Sequence, residues 1–316
     1  MSANIDDIFS ILGDWTQGGF NFALAVVVST WGSSPRQAGS LMAIRDDGLI
    51  EGSVSGGCIE SSVITSAQRL MDEGGAAELE FGVADETAWQ VGLSCGGKIR
   101  VWVFPKSSID PAIITSTSAA IQNRQHFHMT CLINDQRIEP SAKALINTLD
   151  DDGHGFHLAV LPKPRLFIIG AVHISQHLAP MANAVGFDVT VIDPRETFAH
   201  EDRFPDVTVL SDWPQDALKD VPIDPDTAFV TLTHDPKIDD TALKIILKSP
   251  SFYIACLGSR KTHDARRLRL KDHGFDDQTI DRIHGPAGYD IGAKTPAEIA
   301  VSVLAELIAA YRKSDR

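Results

Sequence analysis

The second half of the chain begins with RLFIIGAVHISQHLAPMANAV, residues 165 to 185, and this segment indicates its fold. Arg165–Ile169 is a short apolar run that predicts a strand, and Gly170 predicts a turn. The apolar residues that follow recur at helical spacing until Gly186 ends the helix. Strand alternating with helix predicts parallel strands joined by crossovers, which form a doubly wound sheet. The further strand-like runs are Phe187–Ile192, Val207–Leu210, Ala228–Thr233 and Phe252–Leu257.

The last helix of the chain carries a complete start signal. Thr295 is placed to act as the N-cap, Pro296 occupies the first helical position, and Glu298 completes a capping box. The apolar residues behind this start are numerous enough to predict a largely buried helix.

Composition limits the class of protein to which the chain can belong. The chain has 316 residues, which usually means two domains, with 43% hydrophobic and 22% charged residues. The longest apolar run, Phe22–Val28, is too short to cross a membrane, and the acidic start of the chain does not have the basic region of a signal peptide. A net charge of −14 disfavours nucleic-acid binding. Four cysteines without a signal peptide predict free thiols in the cytoplasm.

The first half is less regular, but it also predicts an α/β domain. The expected boundary is at Pro162-Lys163-Pro164, which gives a first domain of residues 1–160 and a second of residues 161–316. A hairpin is expected to turn at Asp46-Asp47-Gly48. The expected strands are Phe22–Ser29, Leu41–Ile44, Leu49–Glu51, Leu79–Phe81, Lys98–Phe104 and His128–Ile133, and the expected helices are Ile59–Asp72 and Pro111–Asn123.

The turn at Gly170 lies where a dinucleotide-binding fold would hold a pyrophosphate. Asp193 closes the next strand 23 residues later, near the distance expected for a ribose contact. The glycine fingerprint is broken, however, because Val172 and Ser175 replace its second and third glycines. Two interpretations stay open: a nicotinamide site, or a scaffold of the same type that binds no standard dinucleotide.

Two more loops follow strands of this sheet, Thr233-His234-Asp235 and Gly258-Ser259-Arg260-Lys261. The carboxyl ends of such strands form the edge of the sheet where ligands usually bind. Two interpretations stay open: the amides, the hydroxyl and the cations of these loops bind an anion, or the loops are polar segments exposed to solvent. The candidates at this edge are Gly170, His173, Asp193, Arg195, His234, Ser259 and Arg260.

The first half carries three unusual loops, residues 30–36, 53–60 and 93–98. Cys58 precedes a predicted helix, whose N-terminus favours a thiolate, and Cys95 lies in a glycine-rich loop near Lys98. Together the loops suggest an anionic or metal-bearing ligand, against the alternative of structural cysteines, which suits Cys131 and Cys256. The candidates are Ser34, Arg36, Gly56, Gly57, Cys58, Cys95, Gly96 and Gly97, with the two thiols as candidate metal ligands.

These loops resemble a known family. TWGSSPRQAG (residues 30–39), GSVSGGCIE (52–60) and GLSCGGKI (92–99) are similar to the N-terminal domain of the xanthine dehydrogenase accessory factor family, XdhC/CoxI. VIDPR (191–195), LTHDPKID (232–239), LGSRKT (257–262) and DIGAKTPAEIAVS (290–302) resemble that family's Rossmann-like C-terminal domain. The chain reads Gly170-Ala171-Val172-His173 where the family commonly has Gly-Ala-Gly-His.

The resemblance implies a cytoplasmic maturation factor rather than a catalyst. Such a factor binds the molybdenum cofactor, a molybdopterin, transiently. It supports the acquisition of a sulfido ligand from a cysteine desulfurase and delivers the cofactor to a xanthine dehydrogenase-type molybdenum hydroxylase. A homodimer is implied as well. Soft metal–sulfur chemistry suits Cys58 and Cys95 as ligands or neighbours of molybdenum.

Two alternatives come from other classes. An NAD(P)-dependent oxidoreductase depends on the sheet topology and Asp193 alone. A scaffold that docks other proteins is the third possibility. Bound pterin and molybdenum, a nicotinamide dependence, or neither would separate the three.

Overall fold

The computed structural model describes residues 5–32, 36–82, 97–143 and 145–313. Two compact units divide between Pro162 and Lys163. The predicted fold class is confirmed, since antiparallel sheets form the first unit and a parallel sheet of six strands forms the second.

An antiparallel sheet of five strands organises the first unit, in the order β3-β2-β1-β5-β4. The predicted hairpin is confirmed as β2 and β3. The strands are β1 (Phe22–Trp31), β2 (Leu41–Arg45), β3 (Ile50–Gly52), β4 (Ala77–Phe81) and β5 (Lys98–Pro105).

Alternation along β1 gives this sheet two apolar faces, because successive side chains of a strand point to opposite sides. Ala23, Ala25 and Val27 pack with helix α2 (Glu60–Glu73). The opposite face packs with helices α1 (Ile5–Gln17) and α3 (Pro111–Gln122) and with a second sheet. The helices predicted over Ile59–Asp72 and Pro111–Asn123 are therefore confirmed within one or two residues at their ends.

The second sheet of this unit is antiparallel, in the order β7-β6-β9-β8. Sequence patterning predicted only its first strand. The last strand is buried along its whole length, so its sequence GFHLAV shows no alternation to reveal it. The strands are β6 (Phe127–Leu132), β7 (Arg137–Pro140), β8 (Thr148–Leu149) and β9 (Gly155–Val160).

The second unit is a parallel sheet in the order β12-β11-β10-β13-β14-β15. Five of these strands match the predicted runs, and β15 was missed because it is only two residues long. The strands are β10 (Arg165–Ile169), β11 (Asp188–Ile192), β12 (Thr208–Leu210), β13 (Thr227–Thr231), β14 (Tyr253–Cys256) and β15 (Ile283–His284).

Helices cover both faces of this sheet, as a doubly wound fold requires. Helices α4 and α9 pack on one face, and α6, α7 and α8 pack on the other. The predicted capping box of α9 is confirmed, because the amide of Thr295 donates to Glu298 and the amide of Glu298 donates to Thr295 Oγ1. The helices are α4 (His173–Ala184), α5 (Pro214–Ala217), α6 (Pro236–Ile246), α7 (Arg260–Asp272), α8 (Asp277–Ile280) and α9 (Pro296–Lys313).

Candidate functional site

Strand pairing brings the described ends of the three unusual loops of the first unit to one edge of its sheet. Trp31, the last residue of β1, pairs with Lys98, the first residue of β5. The amide of Ser53, just after β3, donates to the carbonyl of Leu41 at the start of β2. The segments that follow β1, follow β3 and precede β5 therefore begin or end at the same edge. Of the candidates in these segments, Ser34, Cys95 and Gly96 lie outside the described residues.

The loop before α2, residues 53–60, is closed around the carboxylate of Glu60; we call it the Glu60 loop. Each carboxylate oxygen accepts three hydrogen bonds from the loop itself, at 2.6 to 3.2 Å. A carboxylate offers about four lone-pair sites, so this one is saturated. The donors are Ser53 Oγ and the amides of Ser55 and Gly56 on Oε1, and Ser55 Oγ and the amides of Gly57 and Ile59 on Oε2.

These donors hold Glu60 in its charged form. Burial acts to raise the pKa of Glu60, but the hydrogen bonds from Ser55, from Ser53 and from the loop amides outweigh it and lower the pKa to about 2. The Glu60 loop thus has the geometry of an anion-binding turn at a helix N-terminus, and Glu60 is the anion that it binds.

Cys58 lies inside this loop, one residue before the N-cap of α2, as the sequence predicted. Its side chain is half-buried and packs against the apolar cluster under α2. Its amide donates to Ser55 Oγ at 2.9 Å. Gly56 and Gly57 precede it with φ values of 84° and 122°, which L side chains rarely adopt, and both are exposed. Cys58 is therefore a partly exposed residue on a loop of defined conformation.

The other described candidates of this unit lie near the same edge. Gly97 is buried immediately before β5, and Arg36 is half-buried. Sequence reasoning missed one residue here: Trp31 is 71% exposed at the end of β1. A tryptophan within a motif rich in glycine and serine is the sequence signal that indicates such an exposed indole.

Two cysteines serve packing, as the sequence predicted. Cys131 and Cys256 lie in strands with no exposed surface. Burial raises the pKa of both thiols, to about 11 for Cys256, so neither forms a thiolate at neutral pH.

In the second unit, the turn after β10 is also closed by a carboxylate; residues 170–172 with Asp193 form what we call the Asp193 turn. Asp193 is fully buried and accepts the amide of Ala171 at 2.8 Å. The guanidinium of Arg195 donates to both of its oxygens, at 2.8 and 2.6 Å. Burial acts to raise the pKa of Asp193, but these hydrogen bonds outweigh it and lower the pKa. The carboxylate expected to face a ribose is thus engaged with the chain's own groups.

The start of α4 shows how the broken glycine fingerprint is accommodated. Ser175 is buried and donates to the carbonyls of Gly170 and Val172 at 2.6 and 2.8 Å. Gly170 has a φ of 114°, and a Cβ there would lie 2.6 Å from Thr233 Cγ2, so only glycine fits. His173, the first helical residue, is exposed.

The remaining candidates at this edge lie on the two other loops. His234 is exposed with a φ of 61°. Ser259 caps α7 by accepting the amide of Thr262 at 3.2 Å, and Arg260 is the exposed first residue of that helix. The hydroxyl of Ser259, a candidate for binding an anion, therefore accepts a hydrogen bond from its own helix.

Sequence reasoning missed a pair of buried charged residues behind these loops. Asp239 is 2% exposed and accepts the hydroxyl of Thr233 at 2.6 Å, and burial raises its pKa. Arg266, also 2% exposed, donates to the carbonyl of Leu257 at 2.9 Å. Asp239 ends the motif LTHDPKID, but neither residue was expected to be buried, because charged side chains are rarely buried completely.

Within the described ranges, no group of three or more histidine, cysteine, aspartate or glutamate residues is arranged to hold a metal ion. In the same part of the chain, no helix is both long and apolar enough to cross a bilayer.

Two family models match different parts of the chain. The model of the XdhC and CoxI family matches residues 15–82, and the model of the XdhC Rossmann domain matches residues 166–307. Among curated relatives, the chain is 28% identical over 289 residues to YqeB of Escherichia coli (strain K12), covering 91% of this chain and 43% of that protein. The chain therefore spans less than half the length of YqeB.

A second relative from the same organism is named molybdenum cofactor insertion chaperone PaoD. It is 29% identical over 290 residues, which cover 90% of this chain and 81% of PaoD. A crystal structure from Bacillus halodurans, described as a xanthine dehydrogenase, superimposes with a TM-score of 0.72 at 25% identity and covers 99% of this chain and 97% of that one.

Proposed function

The chain belongs to the XdhC and CoxI family, and on that basis we propose that it is an accessory factor for the maturation of a molybdenum hydroxylase. It binds the molybdenum cofactor as transient cargo, supports its sulfuration with sulfur from a cysteine desulfurase, and delivers it to the hydroxylase. The likeness to PaoD, which is named as a molybdenum cofactor insertion chaperone, supports this assignment over most of the chain.

One observation carries the proposal at the level of residues: Cys58 is half-buried on a structured loop, at the edge of the sheet where the described ends of the three motif-bearing segments lie. A cysteine on a partly exposed loop can be approached by a soft metal–sulfur centre, whereas Cys131 and Cys256 are fully buried in their strands. We assign Cys58 as a ligand or close neighbour of the cargo, and Cys95, outside the described residues, to the same role.

The oxidoreductase alternative has weaker support. A ribose contact through Asp193 requires the carboxylate to give up either the amide of Ala171 or the guanidinium of Arg195. Those hydrogen bonds involve a fully buried charge, and losing one partner of such a charge costs about 3 kcal/mol.

Cysteine replacements test the function. The Cys58→Ala and Cys95→Ala variants are expressed in a host that makes the cofactor, and retained molybdenum and pterin are measured, followed by activation of a hydroxylase that has no cofactor. We expect both variants to fold and to lose most cofactor retention or activation. The Cys131→Ala and Cys256→Ala variants are matched controls, which should lower the melting temperature and leave retention unchanged, because their thiols fill core volume.

Normal retention and activation by both loop variants would contradict the role of the thiols. A host in which the gene is deleted and the hydroxylase is fully active would contradict the function as a whole.

A further inference from the structure

The hydrogen-bond donors of the Glu60 loop converge on a single side chain. Four main-chain amides and two hydroxyls converge on one point, and the side chain found there is a carboxylate from the first residue of the following helix. A loop of this shape before a helix usually binds an anion that comes from outside the protein.

We propose that Glu60 is the positioning residue of Cys58: its carboxylate is the built-in anion of the Glu60 loop and keeps the thiol at the open edge of the sheet. This inference rests on the function proposed above for Cys58 and names the residue on which the thiol's placement depends.

The hydrogen bonds around Cys58 carry the argument. The residues on either side of it, Gly57 and Ile59, donate their amides to Glu60 Oε2 at 2.9 and 3.2 Å. The amide of Cys58 donates to Ser55 Oγ at 2.9 Å, and that hydroxyl donates in turn to Glu60 Oε2 at 2.6 Å. Every peptide unit that sets the direction of the Cys58 side chain is therefore tied, directly or through one hydroxyl, to the same carboxylate.

A consequence for the cargo follows. Glu60 is tethered to the loop and accepts six hydrogen bonds from it, so its local concentration exceeds that of any free anion. The amides of Gly56 and Gly57 are therefore closed to the phosphate of the cargo. The two glycines serve to let the chain turn and to leave Cys58 accessible, and the phosphate is bound by other groups.

Chemical rescue tests the inference. In the Glu60→Ala variant, the rate at which iodoacetamide alkylates Cys58 is measured by peptide mass spectrometry, with acetate or with chloride at equal ionic strength. We expect a rise on the order of fivefold in chloride, because local opening exposes the thiol, and a return toward the wild-type rate in acetate, which refills the loop. The Glu298→Ala variant is the matched control, since Glu298 also accepts amides at a helix start, and its Cys58 rate should equal that of the wild type in both salts.

An unchanged alkylation rate in Glu60→Ala, or a raised rate that acetate does not lower, overturns the inference. Should that variant fail to fold, Ser55→Ala removes the hydroxyl that links Cys58 to Glu60. It should raise the alkylation rate without acetate rescue, and a wild-type rate would equally overturn the inference.

Alkylation does not depend on the cargo, so the inference and the proposed function can fail separately. A Glu60→Ala variant with altered, acetate-sensitive alkylation but normal hydroxylase activation would support the positioning role and contradict the participation of Cys58 in delivery. Loss of activation that acetate restores would support both.

Discussion

The Glu60 loop and the Asp193 turn both provide an acceptor for main-chain amides before a helix, but they use different carboxylates and different partners. Each leads from a strand into a helix, each contains a glycine with positive φ, and each has amides that point to a carboxylate of the chain itself. Glu60 begins the helix that its own loop precedes, and its partners are hydroxyls and amides. Asp193 comes from the neighbouring strand and is paired with a guanidinium.

The two cases show how glycine-rich turns at helix starts can be interpreted. Such a turn indicates that an anion is bound, but it does not say whether the anion is a ligand or a side chain. In the Asp193 turn the anion is neutralised by Arg195 and buried, which makes it a structural element. In the Glu60 loop the anion is half-buried and adjoins a partly exposed thiol, which makes it part of a candidate site.

The largest expected effect is the loss of the buried carboxylate. Asp193→Ala removes the acceptor of the buried Ala171 amide and the ion-pair partner of Arg195, so we expect the free energy of unfolding to fall by about 2 kcal/mol. Urea unfolding measures it. Asp188→Ala, an exposed aspartate at the start of the same strand, is the control and should change stability by less than about 0.5 kcal/mol. Equal effects of the two variants would show that the Asp193 turn is not held by its carboxylate.

A smaller effect is expected from acid at the Glu60 loop. The pKa of Glu60 is about 2 in the folded protein, below its ordinary value of 4.5, so its contribution is complete above that value and is lost as the pH falls toward 2. After allowance for solvent screening, we expect Glu60→Gln to remove about 1 to 2 kcal/mol of this acid-dependent stability. Urea unfolding at several pH values measures it, with Glu80→Gln, an exposed residue of β4, as control. The same acid dependence in Glu60→Gln as in the wild type would refute the role of the charge.

The smallest expected effect is on dinucleotide binding. Because Asp193 is engaged and Val172 stands where a pyrophosphate comes closest, NAD and NADP should show no low-micromolar affinity in titration calorimetry. Arg195→Ala frees one side of the carboxylate and should raise the affinity only slightly, since Val172 remains. Low-micromolar binding by the wild type would show that the Asp193 turn is a ligand site rather than a structural element, and it would support the oxidoreductase alternative.

Local patterns made much of the fold predictable. The alternation of strand and helix after Arg165 predicts the doubly wound sheet. Parallel strands need a crossover connection, and the helix that forms it leaves a long periodic pattern in the sequence. The capping box at Thr295 and the hairpin at Asp46-Asp47-Gly48 were predictable for the same reason: their interactions are made within a few residues. The second antiparallel sheet was not, because β9 is buried throughout and its longest pairing is with β6, from which β7 and β8 separate it in sequence.

The sequence by itself determined the family motifs, the fold class, and the placement of Cys58 before a helix, since these depend on residue identity and short spacing. The folded structure was needed to show that the described ends of the three motif-bearing segments share one sheet edge, because that depends on the order of strands. It alone also decided which group occupies each glycine-rich turn, since a carboxylate can face an amide only after the chain has folded around it. Motifs report which atoms are available, and packing determines which of them remain free to act.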